Sequence, residues 1–178
     1  MVHLHVYASR FCSDDEALHR LQQLHTGHQA LAAPHLKPLR TGHAARIWEH
    51  NCLALGAAAG CVEPLASTGL HLVEWALQMF VDHVAPSGNS QACRSRLNRL
   101  AGDFHEELRD FIVAHYALSQ RRDTPFWRAC TDATALPPRL AELLALWDTK
   151  VPTATDLDSR LSPFGPSNWS YLLAGMMV

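Results

Sequence analysis

Two consecutive segments, from Gly69 to Pro86 and from about Gln91 to Leu118, constrain the fold of this chain most strongly. The second repeats apolar residues at the spacing of one helical face, at Leu97, Leu100, Phe104, Leu108, Phe111, Ile112 and His115. Its other face is predicted to be solvated and carries Arg96, Arg99, Asp103, Glu107 and Asp110. The first segment is apolar almost all round, so as a helix it has to be buried on most of its surface. We therefore expect a mostly helical fold.

Strand candidates are few and short. Val2, Leu4 and Val6 alternate with more polar residues, which predicts a half-buried strand. The apolar run Cys52–Leu55 predicts a buried strand, and an extended piece is expected near residues 36–40. Three short strands cannot form a self-sufficient sheet, so the fold class is predicted as α+β, mostly helical, and incomplete without further protein.

Capping signals predict the remaining helices. Ser13 begins a capping-box pattern before a helix from about Asp14 to His25. Its buried stripe is expected to be Ala17, Leu18, Leu21 and Leu24. Three later helices are predicted, a short one opened by Thr124-Pro125, then Arg139–Trp147 and Trp169–Met176.

Composition excludes several classes of partner. The chain has 178 residues, 48% of them hydrophobic, a formal net charge of −2 and no basic run, which argues against nucleic acid and anionic membranes. No apolar stretch approaches the ~20 residues of a membrane span. The first residues show neither the basic region nor the apolar region of a signal peptide. A cytoplasmic protein is the simplest expectation.

The cysteines and histidines indicate neither a disulfide framework nor a metal site. The five cysteines are odd in number and lack CxxC spacing, which is typical of buried or reduced thiols. Two histidine pairs, His3 with His5 and His25 with His28, have spacings that place each pair on one face. No carboxylate or HExxH pattern completes either pair, so no metal is predicted.

The stretch Asn51–Val73 is the candidate ligand-binding segment. Small residues from Gly56 to Gly60 allow close approach of the backbone to another surface. Ser67 or Thr68 is a natural N-cap for the next helix, whose first N–H groups carry partial positive charge. Together they predict a cradle for an anion or a cofactor. The alternative from spacing alone is a purely structural turn.

Four collinear segments resemble the flavin-dependent tryptophan halogenases. They cover nearly the whole chain and read NCLALGAAAGCVEPLASTGLHL (51–72), YASRFCSDDEA (7–17), DFIVAHY with RRDTPFW (110–116 and 121–127), and SNWSYLLAGMMV (167–178). The resemblance implies the C-terminal part of a flavin-monooxygenase-like FAD domain, residues 1–69, joined to a helical substrate-binding region, residues 70–178. The family's catalytic Lys, its GxGxxG fingerprint and its tunnel motif belong upstream of these segments.

The resemblance also implies cofactors, partners and site residues. Such enzymes use reduced FAD from a separate flavin reductase, with oxygen and chloride or bromide, to halogenate an aromatic small molecule, and they are compatible with a homodimer. Carried over by position, the halide site is Thr68 and Gly69. The flavin contacts are Gly56, Ala59, Gly60, Pro64 and Leu65. Trp127 and Trp169 are the best tryptophan candidates for lining a pocket, although core packing is the more common role.

One departure from the family pattern puts activity in question. Where the family motif has a catalytic glutamate, this chain has Ala66, and alanine neither accepts a proton nor stabilises positive charge. Glu63 matches a different family position and is not assigned that role, so no catalytic residue is predicted. Two alternatives to a halogenase therefore stand, a related flavin protein that oxygenates or only binds flavin and an aromatic ligand, and a helical binding module without catalysis.

Overall fold

The computed structural model describes residues 5–27, 30–65, 68–87, 90–132, 136–157 and 162–176. Its helices are α1 (Asp14–Leu24), α2 (Thr68–Ser87), α3 (Gln91–Ala117), α4 (Pro125–Cys130), α5 (Pro138–Trp147) and α6 (Pro166–Met176). Each predicted helix is present with ends shifted by at most a few residues. The caps of three helices are serine or threonine hydroxyls that accept from backbone N–H groups, at Ser13, Ser90 and Thr124.

The strands are shorter than predicted and form two separate antiparallel pairs. Strand β1 (Gly42–His43) pairs with β4 (Gly60–Cys61), and β2 (Trp48–Glu49) pairs with β3 (Cys52–Leu53). The prediction of a buried strand over Cys52–Leu55 is wrong in length and burial, since only two of these residues pair and Cys52 is exposed. These strands lie on helices rather than inside a sheet, so they have one covered side at most.

Two further extended segments form no strand. Residues 5–7 of the predicted strand Val2–Tyr7 lack strand pairing, and residues 2–4 lie outside the described ranges. Residues 36–40 are also unpaired. Alternation of apolar and polar residues indicates a strand only when a neighbouring strand supplies hydrogen bonds, and no strand in the described part of the chain pairs with either segment.

Helix α3 runs through the whole core. Its N-terminal half contributes Leu97, Leu100 and Ala101 to a cluster with Ile47, Trp48, Ala59, Ala76 and Met79. Phe104 and Leu108 pack on Leu72 of α2. Its C-terminal part contributes Phe111 and Ala114 to a cluster completed by Leu140, Leu143, Trp147, Trp169 and Leu172 of α5 and α6. The apolar face predicted for α3 is therefore confirmed.

The prediction of a solvated face on α3 is wrong at two of its five residues. Asp110 is fully buried and Glu107 is 7% exposed, whereas Arg96, Arg99 and Asp103 are exposed. Arg139 of α5 explains the difference, because its guanidinium lies 3.3 Å from Asp110 and 3.5 Å from Glu107. Burial of a carboxylate is tolerated when a cation and hydrogen bonds accompany it.

Helix α2 is less buried than its sequence predicts. Leu72, Ala76 and Met79 face the core, but Leu70, Leu77 and Val81 are 76%, 44% and 55% exposed. The expected stripe of α1 is likewise incomplete, since Ala17 is buried while Leu24 is exposed. Apolar residues alone therefore do not ensure burial in these two helices.

Asn98 of α3 anchors the β2–β3 hairpin. Its side-chain oxygen accepts from the Trp48 N–H at 2.8 Å, and its amide nitrogen donates to the Trp48 carbonyl at 2.9 Å. The core that results joins residues on both sides of position 69, while the division into 1–69 and 70–178 stays a prediction. Among the described residues, no helix combines the length and apolar composition that crossing a membrane requires.

Candidate functional site

The candidate site centres on the turn between β4 and α2. It leaves β4 at Cys61, passes the half-buried Glu63 and the exposed Pro64, and reaches Leu65; Ala66 and Ser67 lie outside the described ranges. Helix α2 then begins at Thr68. The glutamate-to-alanine departure at Ala66 therefore has no structural description, while the residues on either side of it do.

Thr68 is the first helical residue of α2 rather than its N-cap. Its side chain is 2% exposed, and its hydroxyl donates to the Glu63 carbonyl at 3.4 Å. Gly69 is exposed, and a Cβ built on it would meet no described atom within 4 Å. An anion approaching this helix end would meet backbone N–H groups, because the Thr68 hydroxyl is already directed inward.

The small residues before the turn are explained partly by packing within the chain. Gly56 has a φ of +56°, a conformation that glycine adopts without strain, and a Cβ there would lie 3.4 Å from Val73 of α2. A Cβ on Gly60 would lie 2.9 Å from the Cβ of His43 and 2.7 Å from His105 Cδ2. Ala59 and Gly60 are buried, so Gly56, Pro64 and Leu65 are the accessible members of the predicted flavin contacts.

Glu63 is bonded to α3 across a long sequence separation. The Tyr116 hydroxyl donates a short hydrogen bond to Glu63 Oε1. Burial, and secondly this bond, raise the pKa of the Tyr116 phenol, which therefore remains a protonated donor at physiological pH. A carboxylate that already accepts this bond is poorly placed to replace a carboxylate at position 66, which agrees with leaving Glu63 without a catalytic role.

Aromatic contacts connect the matched segments around Tyr116. Its ring lies 5.9 Å from that of Phe126 and 5.8 Å from that of Trp127, and Phe126 contacts Phe11 edge-on at 5.7 Å. The guanidinium of Arg121 lies 4.5 Å from the Trp127 ring centre. Phe11, Glu63 and Tyr116, which are far apart in sequence, are thus connected through a chain of contacts at one place.

A cleft of about 320 Å³ opens beside the start of α2. Its lining consists of Thr68, Leu70, His71, Glu74, Pro163, Phe164 and Asn168. Phe164 is stacked on Phe111 with ring centres 3.7 Å apart, so a core contact holds the ring in place. Trp169, a predicted pocket candidate, is buried 4.8 Å from Trp147, and Trp127 lies under Arg121 outside this lining.

The predicted histidine pairs stay largely untested, because His3 and His28 lie outside the described ranges. Within those ranges, no three histidine, cysteine, aspartate or glutamate side chains come together as metal ligands. All five cysteines are described and none of them forms a disulfide; none is fully buried either, and Cys52 is exposed.

A family model described as tryptophan halogenase matches residues 2–178, which include every element of the candidate site. The chain belongs to the tryptophan halogenase family. The resemblance of the four segments is therefore confirmed over the whole chain. The finer assignments of Gly56, Ala59, Gly60, Pro64, Leu65, Thr68 and Gly69 to flavin and halide are not tested by this match.

Curated halogenases are moderately similar to the chain. The tryptophan 6-halogenase SttH of Streptomyces toxytricini is 30% identical over 173 residues, which are 96% of this chain and 32% of that protein. The tryptophan 7-halogenase RebH of Lentzea aerocolonigenes is 37% identical over 131 residues, 70% of this chain and 24% of RebH. The chain thus spans about a third or less of these relatives. Their names give different positions on tryptophan.

Solved halogenases share the fold. The tryptophan halogenase of Shewanella frigidimarina superimposes with a TM-score of 0.88 at 28% identity, covering 96% of this chain and 33% of that one. BrvH, a flavin-dependent halogenase from Brevundimonas, gives a TM-score of 0.84 at 32% identity, and the match covers 97% of this chain and 34% of the BrvH chain. The mostly helical fold is therefore that of the corresponding third of a halogenase.

Sequence reasoning located the turn and the start of α2 but missed three residues that shape the site. Tyr116 occurs within a matched segment, whereas no motif or periodicity singles out Phe164 or Asn98. Their partners lie at least 50 residues away in all three cases, Trp48 for Asn98, Glu63 for Tyr116 and Phe111 for Phe164. The one local signal is the position of Phe164 between Pro163 and Gly165, next to the matched segment that begins at residue 167.

Proposed function

We propose that this chain is the C-terminal part of a flavin-dependent halogenase that acts on tryptophan or another electron-rich aromatic. The observation that carries the proposal is the match of residues 2–178 to the tryptophan halogenase family, together with the TM-score of 0.88 against the Shewanella frigidimarina halogenase. Because the chain spans about a third of such proteins, activity belongs to a protein that also contains the remaining two-thirds of the fold.

The turn and the α2 N-terminus fit a cofactor and a halide. Pro64 and Gly69 are exposed, and the space at Gly69 is open, so both are accessible from outside this chain. We assign Gly56, Ala59, Gly60, Pro64 and Leu65 to the flavin side and Thr68 and Gly69 to chloride or bromide. Bound reduced FAD, supplied by a separate flavin reductase, would activate molecular oxygen, which is the oxidant for the halide. The chain's own contribution is N–H groups that hold the anion.

The cleft beside Thr68 is proposed as part of the aromatic substrate site. Phe164 offers a ring fixed by its stacking on Phe111, and aromatic rings pack favourably on such a surface. Glu74 and Asn168 place a carboxylate and an amide at the same cleft. An aromatic ligand bound there would lie beside the start of α2.

Ala66 favours a second candidate function. Without a carboxylate at this position, a flavin monooxygenase or a protein that binds flavin and an aromatic ligand without halogenating it is also consistent with the chain. Glu63 does not remove the difficulty, because it accepts the hydrogen bond of Tyr116.

Location in the cytoplasm and assembly as a homodimer remain predictions.

The two candidates are separated by an assay of the protein encoded by the complete reading frame. It is supplied with flavin reductase, FAD, oxygen, bromide or chloride, and tryptophan or indole, and products are identified by mass spectrometry. We expect slow halogenation by the natural protein and at least tenfold faster halogenation by Ala66→Glu. Flavin binding with no halogenated product from either protein would favour the second candidate.

A further inference from the structure

The cleft of about 320 Å³ beside α2 has one carboxylate in its described lining, that of Glu74. The same lining contains the apolar side chains of Leu70 and Pro163 and the ring of Phe164. No lysine or arginine is among its described members. The cleft therefore presents a negative charge beside an aromatic surface.

The Glu74 carboxylate is not neutralised within the described part of the chain. Its closest neighbours on α2 are the residues three and four positions away. One of them, His71, has its ring stacked on Phe104 with ring centres 5.7 Å apart. Another, Gln78, donates to Asp82 at 2.9 Å instead. The Glu74 side chain has no hydrogen bond or ion pair with any described residue, so its charge is available to a cation from outside the chain.

Phe164 and Asn168 supply an uncharged part of the lining whose position is fixed by other contacts. Phe164 is stacked on Phe111 with ring centres 3.7 Å apart. The Asn168 side-chain oxygen accepts from the Gly165 N–H at 3.1 Å, so its amide group turns N–H donors toward other partners. A charge-assisted hydrogen bond is stronger than a neutral one, so an ammonium group would select Glu74 among the side chains of this lining.

We propose that this cleft prefers an aromatic amine without a neighbouring carboxylate, and that Glu74 determines the preference by pairing with the ammonium group. The inference rests on the proposed function for the reaction that follows binding, whereas the binding preference does not. In an α-amino acid the carboxylate is attached to the carbon that carries the ammonium group, so it would also lie near Glu74. Like charges repel, and the described lining offers no lysine or arginine to offset the repulsion.

A second cleft, of about 550 Å³, shares Phe164 and Asn168 with this one. The rest of its described lining contains no carboxylate, lysine or arginine and consists of Phe111, His115, Tyr171, Leu172, Gly175 and Met176. An aromatic compound bound in the second cleft should therefore respond little to a change of charge at Glu74. The two clefts predict different results for the same variant.

The test measures binding of four indole compounds to the protein encoded by the complete reading frame. Tryptamine carries an ammonium group, 3-methylindole is neutral, indole-3-propionate carries a carboxylate, and tryptophan carries both charges. Affinities are measured by isothermal titration calorimetry at about pH 8, where an alkylammonium group keeps its charge. Binding measured in this way requires no halogenation.

We expect tryptamine to bind roughly tenfold more tightly than 3-methylindole, with tryptophan weaker than tryptamine and indole-3-propionate weakest. In Glu74→Gln the affinity for tryptamine should fall to about that for 3-methylindole, whose own affinity should change less than about twofold. A loss that is equal for all four compounds would indicate damage to the cleft rather than loss of a charge, and would refute the role of Glu74.

Two further variants separate the local charge from general effects. Glu74→Lys should reverse the order, so that indole-3-propionate binds more tightly than tryptamine, which no unfolded protein would do. Asp82→Asn is the matched control, because Asp82 is also an exposed carboxylate of α2 but does not line the cleft. It should leave the order of the four compounds unchanged. Glutamine and lysine are good helix formers, so α2 should persist in both Glu74 variants.

Three results would overturn the inference: equal affinity of the natural protein for tryptamine and indole-3-propionate, an amine preference that survives Glu74→Gln, or an equal change in Asp82→Asn. Binding in the expected order without any halogenated product would contradict the proposed function and leave the role of Glu74 in place. Halogenation of these indoles without the amine preference would do the reverse.

Discussion

Helices α2 and α3 are adjacent in sequence and packed together, yet they differ in which residues they bury and which they expose. Helix α3 has both apolar residues and two carboxylates buried, Glu107 and Asp110. Helix α2 buries Leu72, Ala76 and Met79 but leaves Leu70 and Leu77 in water. The number of apolar residues in a helix therefore does not determine its burial. What matters is which elements of the chain lie against each side.

The difference has a simple structural origin. Helix α3 is contacted by the strand pairs, by α2, and by α5 and α6, so it is covered on several sides, while the face through Arg96, Arg99 and Asp103 stays exposed. Helix α2 is contacted by α3 and by the chain around Trp48 and Gly56, while its side through Leu70, Leu77 and Val81 stays exposed. An apolar side chain that stays in water contributes nothing to the hydrophobic stabilisation of this chain, so α3 should dominate its stability.

The largest effect should separate the two helices directly. Leu108→Ala removes a fully buried side chain of α3 and should lower the free energy of unfolding by about 3 kcal/mol. Leu70→Ala removes a side chain that is 76% exposed on α2 and should change it by less than about 0.5 kcal/mol in this chain. Urea unfolding measures both. Equal losses would contradict the comparison, and a larger loss for Leu70→Ala in a longer protein would show that further residues cover it.

The next prediction concerns the buried charges of α3. Asp110→Ala should cost about 2 to 3 kcal/mol, because Arg139 and Arg109 lose the carboxylate that both contact. Asp103→Ala, on the exposed side of the same helix and 3.5 Å from Arg99, should cost less than about 0.5 kcal/mol. Denaturant midpoints of the two variants would show whether burial, rather than the presence of an ion pair, sets the value. Similar midpoints would argue against this.

Two glycines near the candidate site extend the comparison to backbone contacts. Gly60→Ala should destabilise the protein by about 1 to 3 kcal/mol, because the new methyl group would collide with His43 and His105. Gly69→Ala meets open space at the start of α2 and should be neutral or slightly stabilising. Thermal unfolding of both variants is the measurement. A tolerated Gly60→Ala would mean that His105 moves at little cost.

The smallest effect should come from the pH dependence of His105. Burial lowers the pKa of this imidazole, whose Nδ1 is 2.7 Å from the Ala101 carbonyl oxygen. The unfolded chain therefore binds the proton more readily than the folded one, so stability is full above the unfolded pKa of about 6.5 and falls as pH drops below it. Urea midpoints at pH 7.5 and 5.5 should differ less in His105→Gln than in the natural protein.

A control for that pH dependence is His19→Gln, which changes an exposed histidine of α1 bonded to Gln23. It should leave the difference between the two midpoints as it is in the natural protein. If His105→Gln retains the full difference as well, then other groups carry the acid sensitivity.

Helices were predictable because their signals are local. Serine and threonine caps, proline at first helical positions and a single apolar stripe all act within a few residues, so Ser13, Thr124 and the face through Leu97 and Leu108 were sufficient. Strands were less predictable, since Val6 lies in no strand and Cys52 pairs only with Glu49 in a hairpin of two-residue strands. The positions of α2 and of the turn before it could be predicted from the sequence. The burial of α2 could not.

The candidate site divides in the same way. The sequence indicates the small residues, the turn and the start of α2 near Thr68. It also shows that position 66 carries alanine rather than glutamate. The bond between Tyr116 and Glu63, the salt bridges of Arg139 and the cleft beside Phe164 depend on segments separated by many residues. Nothing in a local pattern indicates which distant side chain will reach a given carboxylate.

The sequence by itself determined the helices, the family and the place of the turn, because capping, periodicity and collinear motifs are properties of neighbouring residues. The tertiary structure decided which side of each helix is covered, which carboxylates are neutralised and what restrains Glu63. These outcomes depend on how α3 meets α2, α5 and the turn in space, where burial raises the cost of every unsatisfied charge and so selects one arrangement.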